Sequence, residues 1–221
     1  MRIGLLGGTF NPIHNGHLYI AEAVRKRLQL DRILFIPSGD PPHKKGEELP
    51  AAVHRLEMTR LALLGHPDFQ TCDIEVTRPG KSYSIDTVSE LKRRYPHDSL
   101  FFIIGSDAFF ELSTWREPER LLSLCDFVVT SRPDHPFSQL PEVGPLLTLD
   151  RAPLLDLDRR VEGIVCLPLP SGNSIYFLAI PPSPISASEI RKRLAFGRDV
   201  KNLLPDPVAS YIIKNKLYDT R

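Results

Sequence analysis

Residues 7–17 read Gly7-Gly8-Thr9-Phe10-Asn11-Pro12-Ile13-His14-Asn15-Gly16-His17, between the apolar run Ile3, Leu5, Leu6 and a stretch with Leu18, Ala21, Val24 and Leu28 at helical spacing. This pattern predicts a strand over Met1 to Leu6 that the glycine pair ends, then a helix beginning at Asn15 or Gly16. Glycine permits a tight turn and lets the backbone approach a ligand closely, while Pro12 stiffens the loop. His17 then falls in the first helical turn. A helix N-terminus offers unpaired N–H groups and partial positive charge, a ready site for a polyphosphate, and His14 and His17 add side-chain donors there. Two histidines three residues apart could instead ligate a metal. A third ligand is wanting, because Cys72, Cys125 and Cys166 form no pair at ligand spacing, so no metal site is expected.

Strand-like apolar runs alternate with helical patterns along the chain. Ile33 to Pro37, Thr71 to Thr77, Leu100 to Gly105 and Phe127 to Thr130 are the strand candidates after the first, and Ala51 to Leu64 and Ser84 to Tyr95 the clearest helices. The latter carries Ile85, Val88 and Leu91 on one side and ends in Lys92-Arg93-Arg94, which suits the helix dipole. The alternation predicts an α/β fold: a Rossmann-like, doubly wound parallel sheet flanked by helices, with ligands beyond the carboxyl ends of the strands. Of the 21 prolines, 10 fall between Arg132 and Ile185, so residues 134–174 are expected to form an irregular insertion. A last strand near Ile175 to Ile180 and a C-terminal helical part from 185 onward, closed by a helix over Pro205 to Tyr218, complete a single domain over 1–221. Leu146, Leu147, Leu149, Leu154 and Leu155 could serve a subunit contact and so a homo-oligomer.

At 221 residues the chain can bury a sizeable core, and a net charge of +1 gives no general pull toward nucleic acid or membrane. Small-molecule partners are expected. There is no charged leader before an apolar stretch, no apolar run of membrane-spanning length and no disulfide framework among three cysteines, which makes the cytoplasm the default.

A second constellation follows Pro181, Pro182 and Pro184. Ile185-Ser186-Ala187-Ser188-Glu189-Ile190-Arg191 starts a helix with Ser186 as N-cap and Glu189 three residues on, a capping box. Arg191 can hold two phosphate oxygens at once and keeps its charge near neutral pH. Gly80-Lys81-Ser82 imitates the end of a P-loop, but position 75 is Glu where that motif requires glycine.

The first run resembles the signature of the nucleotidyltransferase superfamily, Gly-Gly-Thr-Phe-Asp-Pro-x-His-x-Gly-His, and the second its Ile-Ser-x-Thr/Ser-x-x-Arg motif. Asn11 stands where many members carry Asp; it keeps the turn-forming hydrogen bonds but not the charge. Between them, Ser38-Gly-Asp-Pro-Pro-His-Lys44, Ser82-Tyr-Ser-Ile-Asp-Thr87, Ile104-Gly-Ser-Asp107 and Trp115 resemble, in order, blocks of the bacterial nicotinate-mononucleotide adenylyltransferases. The resemblance covers most of 1–132 and 181–218. It implies an enzyme of NAD biosynthesis that joins ATP to nicotinate mononucleotide, with Mg²⁺ carried in on ATP. It also implies that Gly7, Gly8, Thr9, Phe10, His14, His17, Gly105, Asp107, Ile185, Ser186, Ser188 and Arg191 bind ATP, with His14, His17 and Arg191 catalytic. Lys44, Ser84, Thr87, Asp107 and Trp115 would meet the acceptor. Nicotinamide mononucleotide or phosphopantetheine as acceptor, cytidylyl transfer, and a non-catalytic nucleotide-binding module are the competing readings. A class I aminoacyl-tRNA synthetase shares the His-x-Gly-His loop but would need a lysine-rich second signature that is missing here.

Overall fold

The computed structural model describes residues 1–42, 49–140, 147–160 and 163–218. Its first half runs β1 (Arg2–Gly8), α1 (Asn15–Leu28), β2 (Arg32–Pro37), α2 (Ala52–Ala62), β3 (Phe69–Thr71), α3 (Ile74–Thr77), α4 (Ser84–Arg94) and β4 (Ser99–Gly105). The second half runs α5 (Ser106–Phe110), α6 (Pro118–Leu124), β5 (Asp126–Thr130), α7 (Arg151–Asp158), β6 (Gly163–Pro168), β7 (Ser174–Ala179), α8 (Ala187–Ala195) and α9 (Asp206–Lys214). The strands form one sheet in the order β3-β2-β1-β4-β5-β7-β6. Its pairings are parallel for β1 with β4, β2 with β3, β4 with β5 and β5 with β7, whereas β6 runs antiparallel to β7.

Backbone contacts divide the chain into two units. The first comprises Met1–Leu6, Ala23–Asp31 and Tyr83–Pro182. In it Arg2 to Leu6 pair with Ser99 to Ile103, and Phe101 to Gly105 with Asp126 to Thr130. These strands are near-continuous apolar runs, as strands covered on both faces must be. Phe109 and Phe137 both meet Phe177 edge-on at 5.7 Å. All three rings are buried, each contributing roughly 1.5–3 kcal/mol by leaving water.

The second unit comprises Gly7–Glu22, Arg32–Ser82 and Ser183–Arg221. Ile33 to Phe35 pair with Phe69 to Thr71, and the Phe35 ring lies 6.0 Å from Phe10 and 5.3 Å from Phe69. Helix α9 is tied to α2 by His54 Nδ1 and the Tyr211 hydroxyl at 2.9 Å.

Several expectations need correction. The glycine pair does not end the first strand: β1 continues through Gly8, whose carbonyl accepts from Ser38 N–H at 2.9 Å. The run Thr71 to Thr77 is not a strand. Pairing stops at Thr71, and the Asp73 carbonyl then accepts from the N–H groups of Val76 and Thr77 and from Thr77 Oγ1, closing helix α3. Ile74 and Glu75 are buried as helical residues, so apolar alternation misreads this turn as a strand. Residues 134–174 are not simply irregular, since they hold α7 and β6. Strand β6 alternates buried and open residues, as a one-sided edge strand does, and carries its proline at its last position, where a missing N–H does no harm. Leu154 is buried within its own unit, leaving Leu155 exposed, while Leu146 lies outside the described residues. The closing helix is shorter than expected, spanning Asp206–Lys214 with Pro205 as its N-cap.

Candidate active site

The Gly7-to-His17 run leaves the carboxyl end of β1, turns at Phe10 and enters α1. Phe10 has φ of 46°, a left-handed conformation costly for a bulky residue, and its surroundings hold it there. Its buried ring stands edge-on to His17 at 5.1 Å and is tilted 39° to the Phe35 ring. The imidazoles of His14 and His17 stack at 3.7 Å with 25° between their planes. Gly16 makes this possible, because a Cβ there would lie 3.0 Å from the His14 ring and 3.1 Å from Ser183 Oγ. His14 N–H donates to His17 Nδ1 at 3.2 Å. That bond makes Nδ1 the acceptor and puts the proton of the neutral ring on Nε2, which becomes an N–H donor. Among the described residues a Cβ at Gly7 would meet nothing within 4 Å, so the strand end is open to close approach.

The second motif converges on the same loop. Ser186 caps α8, its Oγ accepting from Glu189 N–H at 3.2 Å. The capping box is only half formed, since the Glu189 carboxylate turns forward to Arg193 at 3.0 Å. The hydroxyls of Ser186 and Ser188 are 3.3 Å apart and exposed, Ile185 N–H donates to Ser183 Oγ at 3.4 Å, and Arg191 Nη1 donates to the Asn11 carbonyl at 2.8 Å. The two motifs, far apart in sequence, therefore meet directly.

Two residues of this cluster escape sequence reasoning. Arg55, in α2, is 1% exposed and donates to the carbonyls of Thr9 at 2.7 Å, Gly39 at 2.9 Å and Pro50 at 3.1 Å. Its burial lowers the guanidinium pKa, opposed by Tyr218 and Glu75 nearby. A signal for it exists: Arg55, Met58, Thr59 and Ala62 recur at helical spacing, and all four are buried. The other is Tyr218, whose hydroxyl donates to Asn11 Oδ1 at 2.7 Å. Burial pushes this phenol well above its ordinary value, against the pull of Arg191 and Arg55. Gly39 is held in turn by Ser82, whose Oγ accepts from Gly39 N–H at 3.0 Å and from Asp40 N–H at 3.3 Å. The false P-loop residues are thus a brace, Lys81 pairing with Asp40 at 2.6 Å.

The remaining site candidates belong to the first unit. Ser84 opens α4 after Tyr83, the N-cap, whose side chain makes no capping hydrogen bond. Thr87 is buried and its Oγ1 donates to the Tyr83 carbonyl at 3.3 Å. Gly105 is the N-cap of α5, and Asp107 lies exposed one residue inside the helix, 3.5 Å from Arg132 Nε. A Cβ at Gly105 would be 2.2 Å from Asp107 Oδ1, so this pair closes over the strand end. Trp115 follows a single 3-10 turn, half-buried, with its ring edge-on to Phe102 at 6.2 Å. Next to it Arg116 covers the Tyr83 ring at 5.0 Å and approaches Asp86 at 3.5 Å. Lys44 lies outside the described residues. Among the described residues no group of three His, Cys, Asp or Glu could hold a metal ion, and no helix is long and apolar enough to cross a membrane.

Residues 5–193 match the family described as cytidylyltransferase-like. A Geotalea daltonii protein named "Probable nicotinate-nucleotide adenylyltransferase" is 46% identical over 220 residues, 99% of each chain. A protein of the same name from Citrifermentans bemidjiense is 44% identical over 218 residues, 99% of this chain and 98% of that one. Among solved structures, Plasmodium falciparum nicotinic acid mononucleotide adenylyltransferase complexed with NaAD aligns with a TM-score of 0.71 at 21% identity. The alignment covers 100% of this chain and 98% of that one, and establishes the fold. On family match and full-length identity together, this chain belongs to the cytidylyltransferase-like family and, within it, to the nicotinate-nucleotide adenylyltransferases.

Proposed function

We infer that the chain transfers the adenylyl group of ATP to nicotinate mononucleotide, forming nicotinate adenine dinucleotide and pyrophosphate for NAD synthesis. A phosphate oxygen of the mononucleotide attacks the α-phosphorus of ATP as the bond from that phosphorus to the bridging oxygen breaks, and pyrophosphate leaves with the electron pair. An ionised phosphate is already nucleophilic, so no general base is required. Such transfers depend on alignment and on neutralising charge at the transferred and departing phosphates. His17 Nε2–H and His14 would stabilise the α-phosphate, with the Gly7 to Phe10 backbone and Ile185 flanking the nucleotide. Arg191, Ser186 and Ser188 would take the departing pyrophosphate. Mg²⁺ would enter as the counter-ion of ATP, neutralising the β and γ phosphates.

The N-terminus of α4, from Ser84 to Thr87, would receive the pyridine carboxylate on backbone N–H groups, favouring the acid over the amide, and Trp115 would stack on the ring. Thr87 would then act through its backbone, its hydroxyl being engaged with Tyr83. Gly105 and Asp107 would line the nucleotide beyond β4, and Lys44 would supply an added cation.

The observation that carries this reading is the 2.8 Å bond from Arg191 to the Asn11 carbonyl, which joins the second motif to the histidine loop. The test is pyrophosphate release with ATP and Mg²⁺, offering nicotinate mononucleotide, nicotinamide mononucleotide and phosphopantetheine at equal concentration. A strong preference for the first is expected. Preference for another reassigns the acceptor, and release with none overturns the proposal.

A further inference from the structure

Residue 11 is a junction. Its side-chain Oδ1 accepts from the Tyr218 hydroxyl at 2.7 Å, and its backbone carbonyl accepts from Arg191 Nη1 at 2.8 Å. Arg55, fixed on the Thr9 carbonyl two residues earlier, holds the same turn from α2. Asn11 is 7% exposed, so neither of its oxygens could exchange these partners for bulk water without cost.

We propose that Tyr218 is a positioning residue for nucleotidyl transfer: through Asn11 it fixes the carbonyl that aims Arg191 at the phosphates of ATP. The chemistry of residue 11 suits this role. A carboxylate there would place a negative charge beside the Tyr218 hydroxyl, which itself feels Arg191 and Arg55, and would neutralise part of the charge that Arg191 offers to a ligand. The neutral amide accepts the same hydroxyl bond and leaves that charge undiminished. Tyr218 is suited as donor because burial keeps the phenol protonated across the working range of pH. Asn11 and Tyr218 are 207 residues apart in sequence, so the end of the chain sets the geometry of a loop near its beginning. The inference rests on Arg191 contacting ATP, as proposed above, and its test separates the two.

Tyr218→Phe removes one hydroxyl and keeps the ring, so the fold should survive, as the melting temperature checks. The bond is present with and without ATP, so it enters ATP affinity only through the ordering of Arg191; loss of that ordering at the full value of one buried hydrogen bond, about 1.4 kcal/mol, is roughly a tenfold effect. We expect the Kd of ATP with Mg²⁺, measured calorimetrically, and KM for ATP to rise about tenfold, with KM for the acceptor unchanged. In an Arg191→Lys background the same change should have little further effect, because a lysine cannot use the carbonyl as the guanidinium does. Equal ATP affinity in wild type and Tyr218→Phe overturns the proposal, as does full additivity of the two substitutions. Wild-type protein that binds ATP but releases no pyrophosphate would overturn the assigned reaction and leave this coupling standing, since it is read in binding.

Discussion

The loop around His14 and His17 and the region around Ser84, Asp107 and Trp115 are built on opposite plans. The histidine loop is held by buried donors, Arg55 on Thr9 and Tyr218 on Asn11, and its two rings stack on each other with His14 so close to Gly16 that a Cβ there would crowd it. In the other region the polar side chains that reach outward are exposed and loosely paired, Asp107 with Arg132 at 3.5 Å and Arg116 with Asp86 at 3.5 Å. A polyphosphate is the same in every nucleotidyl transfer, and a rigid cradle of N–H groups suits it. Acceptors differ, and solvent-exposed side chains can change without disturbing a core. The proposed function would then place the reaction in the rigid part and the choice of acceptor in the adaptable one.

The largest expected effect tests the rigid part directly. His17→Ala removes an N–H donor whose direction is fixed by the His14 N–H bond at Nδ1. Turnover should fall roughly a hundred- to a thousandfold, as for loss of one preorganised donor. Single-turnover kinetics check this, and near-normal turnover in a folded variant would remove His17 from the mechanism. Next comes Arg55→Met, which keeps most of the buried side-chain volume but strands the carbonyls of Thr9, Gly39 and Pro50. Leaving such acceptors unsatisfied should destabilise the protein by about 3 kcal/mol, readable by urea unfolding. A loss below about 0.5 kcal/mol, the range of ordinary surface substitutions, would show that the cradle is held by something else.

The two plans also explain which parts were legible in the sequence. The strand-to-helix passage, the first helical turn at His17 and the cap at Ser186 depend on neighbours within a few residues, so local pattern found them. Arg55 is hard to read from sequence because an arginine in an amphipathic helix is ordinarily solvated; its place on the buried face is written in the spacing, but its carbonyl partners come from three separate segments. Tyr218 gave no local signal at all, its partner lying at the other end of the chain. The failed strand over Thr71 to Thr77 has the same cause in reverse. A local alternation of apolar residues was overruled by the Asp73 carbonyl, which gathers three donors and winds the chain into a turn. Strand β6 is illegible among prolines because its ladder is made with β7, and only that pairing gives its weak alternation a meaning.

The smallest effect belongs to the adaptable region. Trp115 meets Phe102 edge-on at 6.2 Å and is half-buried, so its ring is not enclosed by the core. If a pyridine ring stacks there, Trp115→Ala loses a contact of about 1 kcal/mol, and KM for nicotinate mononucleotide should rise five- to tenfold. KM for ATP should stay within twofold. Trp115→Phe, which keeps an aromatic face and the contact with Phe102, should recover most of the loss. Equal rises in both KM values, or no recovery with phenylalanine, would mean that the tryptophan supports the fold rather than the acceptor, and the division between a rigid and an adaptable part would have to be redrawn.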